Sequence, residues 1–261
     1  MALQTVSRLV RTTLIFGVLA GWVLPLSAND WPEWRGVNRD GVWAETGIVD
    51  ELPTDLNVKW RVPINSGYSG AAVADGRVFI TDWAEDSTSR TMDGTERAIA
   101  IDEETGEILW VREWPTTYRM LMISYAIGPR ATPTVDGDRV YVVGAAGDLY
   151  CLSVETGEVL WEKHYIADYD SFIPTCGVAS SPIVDGDRLI TVVGGEPGGL
   201  IIAFDKRTGA EVWRALDVVG EMGYGQPILI DAGGARQLLS LIHISEPTRP
   251  LYISYAVFCL K

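Results

Sequence analysis

Short apolar runs broken by Asp-Gly and Thr-Gly pairs follow one another along most of the chain. Thr132–Val135 and Val140–Val143 flank Asp136-Gly137, a dipeptide suited to a tight hairpin between two strands. No long stretch carries the 3.6-residue period of an amphipathic helix, so the pattern predicts an all-β chain with many turns. Each stretch of this kind reads as four strands. In the clearest they fall at about Ser181–Val184, Leu189–Val193, Leu200–Phe204 and Glu211–Trp213. The Thr-Gly pair before the last strand suits a tight turn, because Gly accepts a positive φ and Thr can bond the local backbone.

The pattern repeats. Ala100–Trp110 (AIDEETGEILW), Cys151–Trp161 (CLSVETGEVLW) and Ala203–Trp213 (AFDKRTGAEVW) align directly. Trp60, Trp110, Trp161 and Trp213 stand 50, 51 and 52 positions apart. A second register agrees: Gly67, Gly128, Gly177 and Gly223 each precede an Asp by eight residues, at Asp75, Asp136, Asp185 and Asp231. Four-stranded sheets at this period are the signature of a β-propeller, with the trailing Trp on an outer strand where its flat ring can cover the neighbouring sheet. The distance from turn Asp to trailing Trp is 25 residues in the second repeat and 28 in the third, but 35 in the first. The excess around Ala84–Thr95 is polar and aperiodic, and is expected to form a surface insertion.

These motifs resemble the pyrroloquinoline quinone (PQQ) repeat, A-x-D-x-x-T-G-x-x-x-W, from about Trp60 to Leu238. The opening Asp30–Gly36 (DWPEWRG) resembles the start of exported PQQ-like propeller proteins of the planctomycete kind. The resemblance implies an all-β propeller of four-stranded PQQ-type blades. About three and a half of an expected eight blades are visible: one outer strand at Trp60, three blades and the first strands of another. Such an open ring would expose unpaired strand edges and aggregate.

The two ends read differently. Arg8 and Arg11 precede an apolar run from Leu14 to Leu26, and Leu26-Ser27-Ala28 offers a cleavage site before Asn29. This predicts an export signal over 1–28, a periplasmic or extracellular protein, and no integral membrane segment after cleavage. No Cys follows the run to take a lipid. Leu239–Arg249 (LSLIHISEPTR) and Ile253–Leu260 (ISYAVFCL) resemble the translation of a transposase-type sequencing adapter and its flanking primer site, with Pro250-Leu251-Tyr252 filling the place of an index. The expected organisation is therefore a signal at 1–28, a partial propeller at 29–238 and an adapter-derived tail at 239–261. His243 and Cys259 drop out of any chemical argument.

Charge narrows the function. The chain carries 21 Lys and Arg against 35 Asp and Glu, a net charge of −14. Setting aside Arg8 and Arg11 at one end and Glu246, Arg249 and Lys261 at the other leaves 17 bases and 34 acids. Such a surface repels phosphate backbones, which argues against nucleic acid. Hydrophobic residues at 47% are enough for a packed core.

The PQQ repeat is shared by quinoprotein alcohol dehydrogenases and by the cofactor-free assembly factor BamB, so both a catalytic and a scaffolding reading follow from the resemblance. The dehydrogenases press PQQ between a Trp and a disulfide of adjacent cysteines and hold calcium through Glu, Asn and Asp oxygens. The visible repeats contain neither a Cys-Cys pair nor a recognisable set of that kind. The resemblance therefore implies a binding or scaffolding protein, with PQQ and calcium attached only to the dehydrogenase alternative. Cys151 replaces Ala100 and Ala203 of the other repeats and is expected to be small and buried. A Cys151–Cys176 disulfide is compatible with export but has no support from spacing. His164 lies after Trp161 in what reads as a connecting segment. Asp136-Gly-Asp138 and Asp185-Gly-Asp187 read as turns rather than calcium ligands, and Gly194–Gly199 reads as a loop rather than a phosphate cradle.

In a propeller the loops leading into the innermost strands ring the mouth of the central channel. The repeat register puts Tyr68, Ser69, Arg130, Ser180, Tyr224 and Gln226 there, as candidates for reading a protein partner or small ligand. Arg130, a cation in an acidic protein, suits a carboxylate or a quinone oxygen. Resequencing the source locus across the codon for Leu238 checks the organisation. The frame is expected to run on into further blades, and a read confirming Leu239–Lys261 and a stop codon would overturn the adapter assignment.

Overall fold

A computed structural model describes residues 29–47, 51, 53–55, 57–122, 124, 127–195, 200–216, 222–243 and 254–260. The expected signal at 1–28, residues 196–199 of the Gly-rich loop and residues 244–253 of the tail lie outside the described residues. The first sheet holds β1 (Ala72–Ala74), β2 (Arg77–Glu85), β3 (Asp93–Asp102) and β4 (Ile108–Thr117). The second holds β5 (Thr134–Asp136), β6 (Arg139–Val143), β7 (Asp148–Ser153) and β8 (Val159–His164), followed by the short helix α1 (Tyr165–Tyr169). The third holds β9 (Ile183–Asp185), β10 (Arg188–Val192), β11 (Ile201–Asp205) and β12 (Glu211–Ala215). Each is an antiparallel meander in chain order, a propeller blade of the kind the repeat predicts. A fourth sheet joins β13 (Ile228–Ala232), β14 (Ala235–His243) and β15 (Ser254–Leu260).

Burial follows the position of each strand in its blade. The middle strands β6, β7, β10 and β11 are buried nearly throughout, since blades cover both their faces. The outer strand β4 keeps Trp110 and Trp114 buried among exposed neighbours. Two-residue hairpins join inner to second strands: Asp75-Gly76 (φ 52 and 71), Gly137-Asp138 and Gly186-Asp187, the latter two with Gly at φ 58 and 60. The Asp-Gly pairs are thus turns, as expected.

The trailing Trp makes the same contact three times. Trp60, Trp110 and Trp161 donate Nε1–H to the carbonyls of Glu103 (2.8 Å), Val154 (2.9 Å) and Lys206 (3.1 Å) on the next blade. Their rings lie on Gly106, Gly157 and Gly209, where a Cβ would come within 2.6–2.7 Å of the indole. These glycines also have φ of 75, 69 and 71, so the Thr-Gly glycine is required twice over, by its turn and by the ring above it. The turns are tied by their own side chains: Asp102 Oδ1 accepts from Thr105 N and Oγ1, both at 2.8 Å, and Asp205 does the same for Thr208. Cys151, Ala100 and Ala203 are all fully buried beneath these turns, so the position takes only a small side chain.

Two expectations need correction. Trp60 docks as an outer-strand Trp would, but its segment forms no strand among the described residues. The excess in the first repeat is a longer hairpin rather than an irregular insertion. β2 and β3 stay paired out to Glu85–Gly94, and only Asp86–Met92 turns back. The added strand length carries Glu96 and Arg97, polar residues with internal partners, and so shows no apolar alternation in the sequence.

Replacing Trp161 measures the docking contact. Trp161→Ala should lower stability to urea by about 3–5 kcal/mol, and Trp161→Phe, which keeps most of the ring but loses the bond, by a smaller amount. Equal losses would mean that ring packing contributes little.

Candidate functional site

Residues 31–39 lie along the inner edges of all four sheets. Trp31 pairs with Val73 of β1, through N–H···O bonds of 2.8 and 2.9 Å. Val135 of β5 donates its N–H to Pro32 O at 2.8 Å. Arg39 then donates to Pro182 O, just before β9, and to Pro227 O at 3.0 Å, just before β13. Its Nε meets Glu33 Oε2 at 2.5 Å. Arg39 is buried, and burial pulls its pKa down and that of Glu33 up, the ion pair opposing both shifts. Residues 31–39 thus run beside the inner strands, and the ion pair sits where Arg39 reaches the carbonyls ahead of β9 and β13.

Around this segment the leading loops tie neighbouring blades together. Tyr68 donates its N–H to Pro129 O at 2.8 Å while its ring stays exposed. Ser69 belongs to its own blade, donating Oγ–H to Thr81 O at 3.2 Å and accepting from Thr81 N at 3.3 Å. Arg130 sets its guanidinium against Gly177, where a Cβ would come within 3.1 Å of Nη1. Ser180 is buried, and its Oγ has no hydrogen-bond partner among the described residues. Tyr224 Oη accepts from Cys176 N at 3.0 Å. Gln226 reaches back to the third blade, accepting from Ser181 N at 2.6 Å and donating to Ala179 O at 2.5 Å. Tyr68, Tyr224 and Gln226 thus fasten blade to blade, and Tyr68 and Tyr224 also present rings to solvent.

The connections between blades emerge on this same face. They carry Met120, 84% exposed, with Met122 and Phe172 also exposed. Met122 N bonds Thr175 O at 2.7 Å, which sets the two connections side by side. The opposite, hairpin face is ionic. There a groove of 550 Å³ is lined by Asp185, Asp187, Asp205, Arg188 and Arg236 among others, and Arg236 pairs with Asp185 at 2.7 Å.

Sequence reasoning missed a polar cluster in the lengthened first blade. Glu96 is fully buried and takes bonds from Tyr118, Trp114 and Ala145. Asp82, also buried, is clasped by Arg97 through Nε at 2.7 Å and Nη2 at 2.5 Å and accepts from Asn65 N at 2.6 Å. The one signal available was the extra length of that repeat. His164 corrects another expectation: it ends β8 rather than lying in a connection. Its Nδ1 bonds Asp148 Oδ1 at 2.8 Å, which raises the imidazole pKa.

The described residues do not fit PQQ with calcium. Cys151 and Cys176 are both free, and burial pushes the Cys151 thiol up to about 12, far from a reactive thiolate. No group of three or more His, Cys, Asp or Glu among them could hold a metal ion. Among the described residues no helix is long and apolar enough to cross a membrane.

The family described as outer membrane protein assembly factor BamB matches residues 94–238. Among curated relatives, the outer membrane protein assembly factor BamB of Shewanella oneidensis is 30% identical over 164 residues, 60% of this chain and 36% of that protein. The quinohemoprotein alcohol dehydrogenase ADH IIB of Pseudomonas putida is 29% identical over 140 residues, 52% of this chain and 20% of that protein. The chain thus spans about a fifth to a third of the length of these relatives. Among solved structures, the quinohemoprotein alcohol dehydrogenase of Comamonas testosteroni superposes with a TM-score of 0.51 at 21% identity, over 71% of this chain and 27% of that one, a likeness of fold.

Arg39→Ala tests the axial contact. It strips Glu33 of its cation, Pro227 O of its donor and Pro182 O of one of two, the other being Thr134 Oγ1, and should cost about 3–5 kcal/mol of stability in denaturant titration. A loss below about 1 kcal/mol would mean that the axial segment does not hold the blades.

Proposed function

Because the chain belongs to the family of outer membrane protein assembly factor BamB, we propose that it works as an exported binding or scaffolding propeller whose leading-loop face holds a partner protein. The observation that carries this reading is the clustering of large apolar side chains on one face. Tyr68, Met120, Met122, Phe172 and Tyr224 are exposed on the leading-loop face, while the grooves of the hairpin face are lined mainly by Asp and Arg, with Leu160 and Val212 as exposed apolar residues. Aromatic rings and Met supply contact area with little ordered polar surface to strip of water, which suits a protein interface. Tyr68, Arg130 and Tyr224 keep their place in this reading as contact residues, and Ser69, Ser180 and Gln226 as the frame that holds them, around a mouth that could also take a small ligand.

The same reading takes 1–28 as an export signal, 29–238 as part of a longer ring and 239–261 as adapter-derived. The periplasm or the cell exterior is the compartment it implies. Fold alone does not separate a scaffold from a quinoprotein dehydrogenase oxidising an alcohol or sugar. The family match over residues 94–238, described for the assembly factor, supports the scaffold.

Photo-crosslinking groups placed at Tyr68, Met120, Phe172 and Tyr224 of the full-length protein, with Asp75 and Asp187 as controls, test the reading in the living envelope. Protein adducts are expected from the first set and not from the second. Adducts from the hairpin positions alone would reject the assigned face. Quinone absorbance together with dye reduction after addition of PQQ and calcium would establish the dehydrogenase instead.

A further inference from the structure

Val37, Val42 and Trp43 are apolar side chains that the partner-binding reading does not use. They are 60–66% exposed, and with Trp31 and Asn38 they line a cleft of 250 Å³. The segment that carries them is held by its own bonds. Gly36, Arg39 and Gly41 donate N–H to Glu33 O, Gly36 O and Arg35 O at 2.9–3.0 Å, and Arg35 Nη2 reaches Asp40 O at 2.6 Å. Asp40 Oδ1 then accepts from Val42 N at 2.9 Å, a turn that sets the chain just ahead of Trp43. Asn29 N closes on Glu45 Oε1, so the two ends of the segment meet. Large apolar side chains held together in water on such a frame mark a contact surface.

The same segment meets the blades in chain order: Trp31 at the first, Pro32 at the second, Arg39 at the third and the fourth. In every blade the contact falls within the four residues before the turn Asp. Val73 stands two before Asp75, Val135 one before Asp136, Pro182 three before Asp185 and Pro227 four before Asp231. The exposed Val42 and Trp43 come next along the segment, so the inner strand next in order is the one for them to meet. The inner strands are short and largely aliphatic, as in Ala72–Ala74 and Ile183–Asp185, a surface that apolar side chains suit.

We propose that Val37, Val42 and Trp43 are the seat for the inner strand of a fifth blade in the full-length protein, with Trp43 packed on the residues just before that blade's turn Asp. The proposal rests on the reading of 29–238 as part of a longer ring, and the curated relatives, of which this chain spans a fifth to about a third, leave length for such a blade. The N-terminal segment then acts as a gauge for the ring: it touches successive inner strands at one level, two of them through a single arginine, and passes from polar contacts at the fourth sheet to apolar ones at the next blade. A ring closed around this segment removes the exposed cluster from water.

A benzophenone group placed at position 43 of the full-length protein, with its photo-adducts mapped by mass spectrometry, tests the seat. The expected product is a link within the chain to one of the four residues preceding the turn Asp of the fifth repeat. Links confined to the first four blades, to a second copy or to another protein would overturn the proposal. Where position 43 does not tolerate the group, Val42→Cys gives an independent reading. Its alkylation in the native full-length protein is expected to be at least tenfold slower than in the urea-unfolded chain, and equal rates would overturn the seat. A full-length chain with no repeat beyond residue 238 would overturn the longer ring and the seat together, and its mass shows this before any adduct is read. A missing link in a chain that does carry the fifth repeat overturns the seat alone.

Discussion

An indole laid on a glycine of the next blade holds this structure together. Each blade is its own antiparallel meander, but its middle strands are buried only once a neighbour covers each face, so the way blades meet has to be fixed. That task falls to Trp60, Trp110 and Trp161, whose rings need a surface with no side chain and whose N–H groups need a carbonyl at a set distance. The Thr-Gly turn supplies both, and the Asp or Ser at its start ties the turn down. Two blades can then meet in one relative position only, since a shift by a residue would put the ring on a Cβ. The regular period of the sequence is the trace of this constraint.

Polar groups take over where the ring contact ends. Toward the axis, Arg39 and Glu33 spend a buried ion pair on reaching the carbonyls of two prolines. These carbonyls precede short inner strands and have no ladder partner of their own. Toward the leading-loop face, Gln226 and Tyr224 perform the equivalent service for Ala179, Ser181 and Cys176. Buried polar groups are costly unless bonded, so these side chains fix the blades as firmly as apolar packing does. They also leave the outward rings of Tyr68 and Tyr224 on a rigid support.

Most of the architecture could be read in the chain itself. The strands of the third blade, the Asp-Gly hairpins and the small buried position of Cys151 follow from local pattern, because backbone conformation and a neighbouring ring dictate those residues. What escaped was long-range. The DWPEWRG segment is recognisable as a motif, yet its course along the axis depends on the spacing of four blades in three dimensions. Glu96 looks like any polar strand residue, since its partners Tyr118 and Ala145 are 22 and 49 positions away. The mouth candidates came from the repeat register alone. It could not separate Gln226, whose amide is consumed by backbone groups, from Tyr224, whose ring remains outward.

The direction of the indole contacts has a consequence for synthesis. Every docked Trp reaches forward along the chain, onto residues translated 43 to 45 positions later. The Trp contact of a blade therefore cannot form until the Thr-Gly turn of its successor has been translated. The axial segment keeps the opposite schedule. It is made before any blade, yet Arg39 finds Pro227 across 188 positions, so the earliest residues of the propeller are among the last to settle. In the interval that arginine and a row of strand edges stand open to other chains.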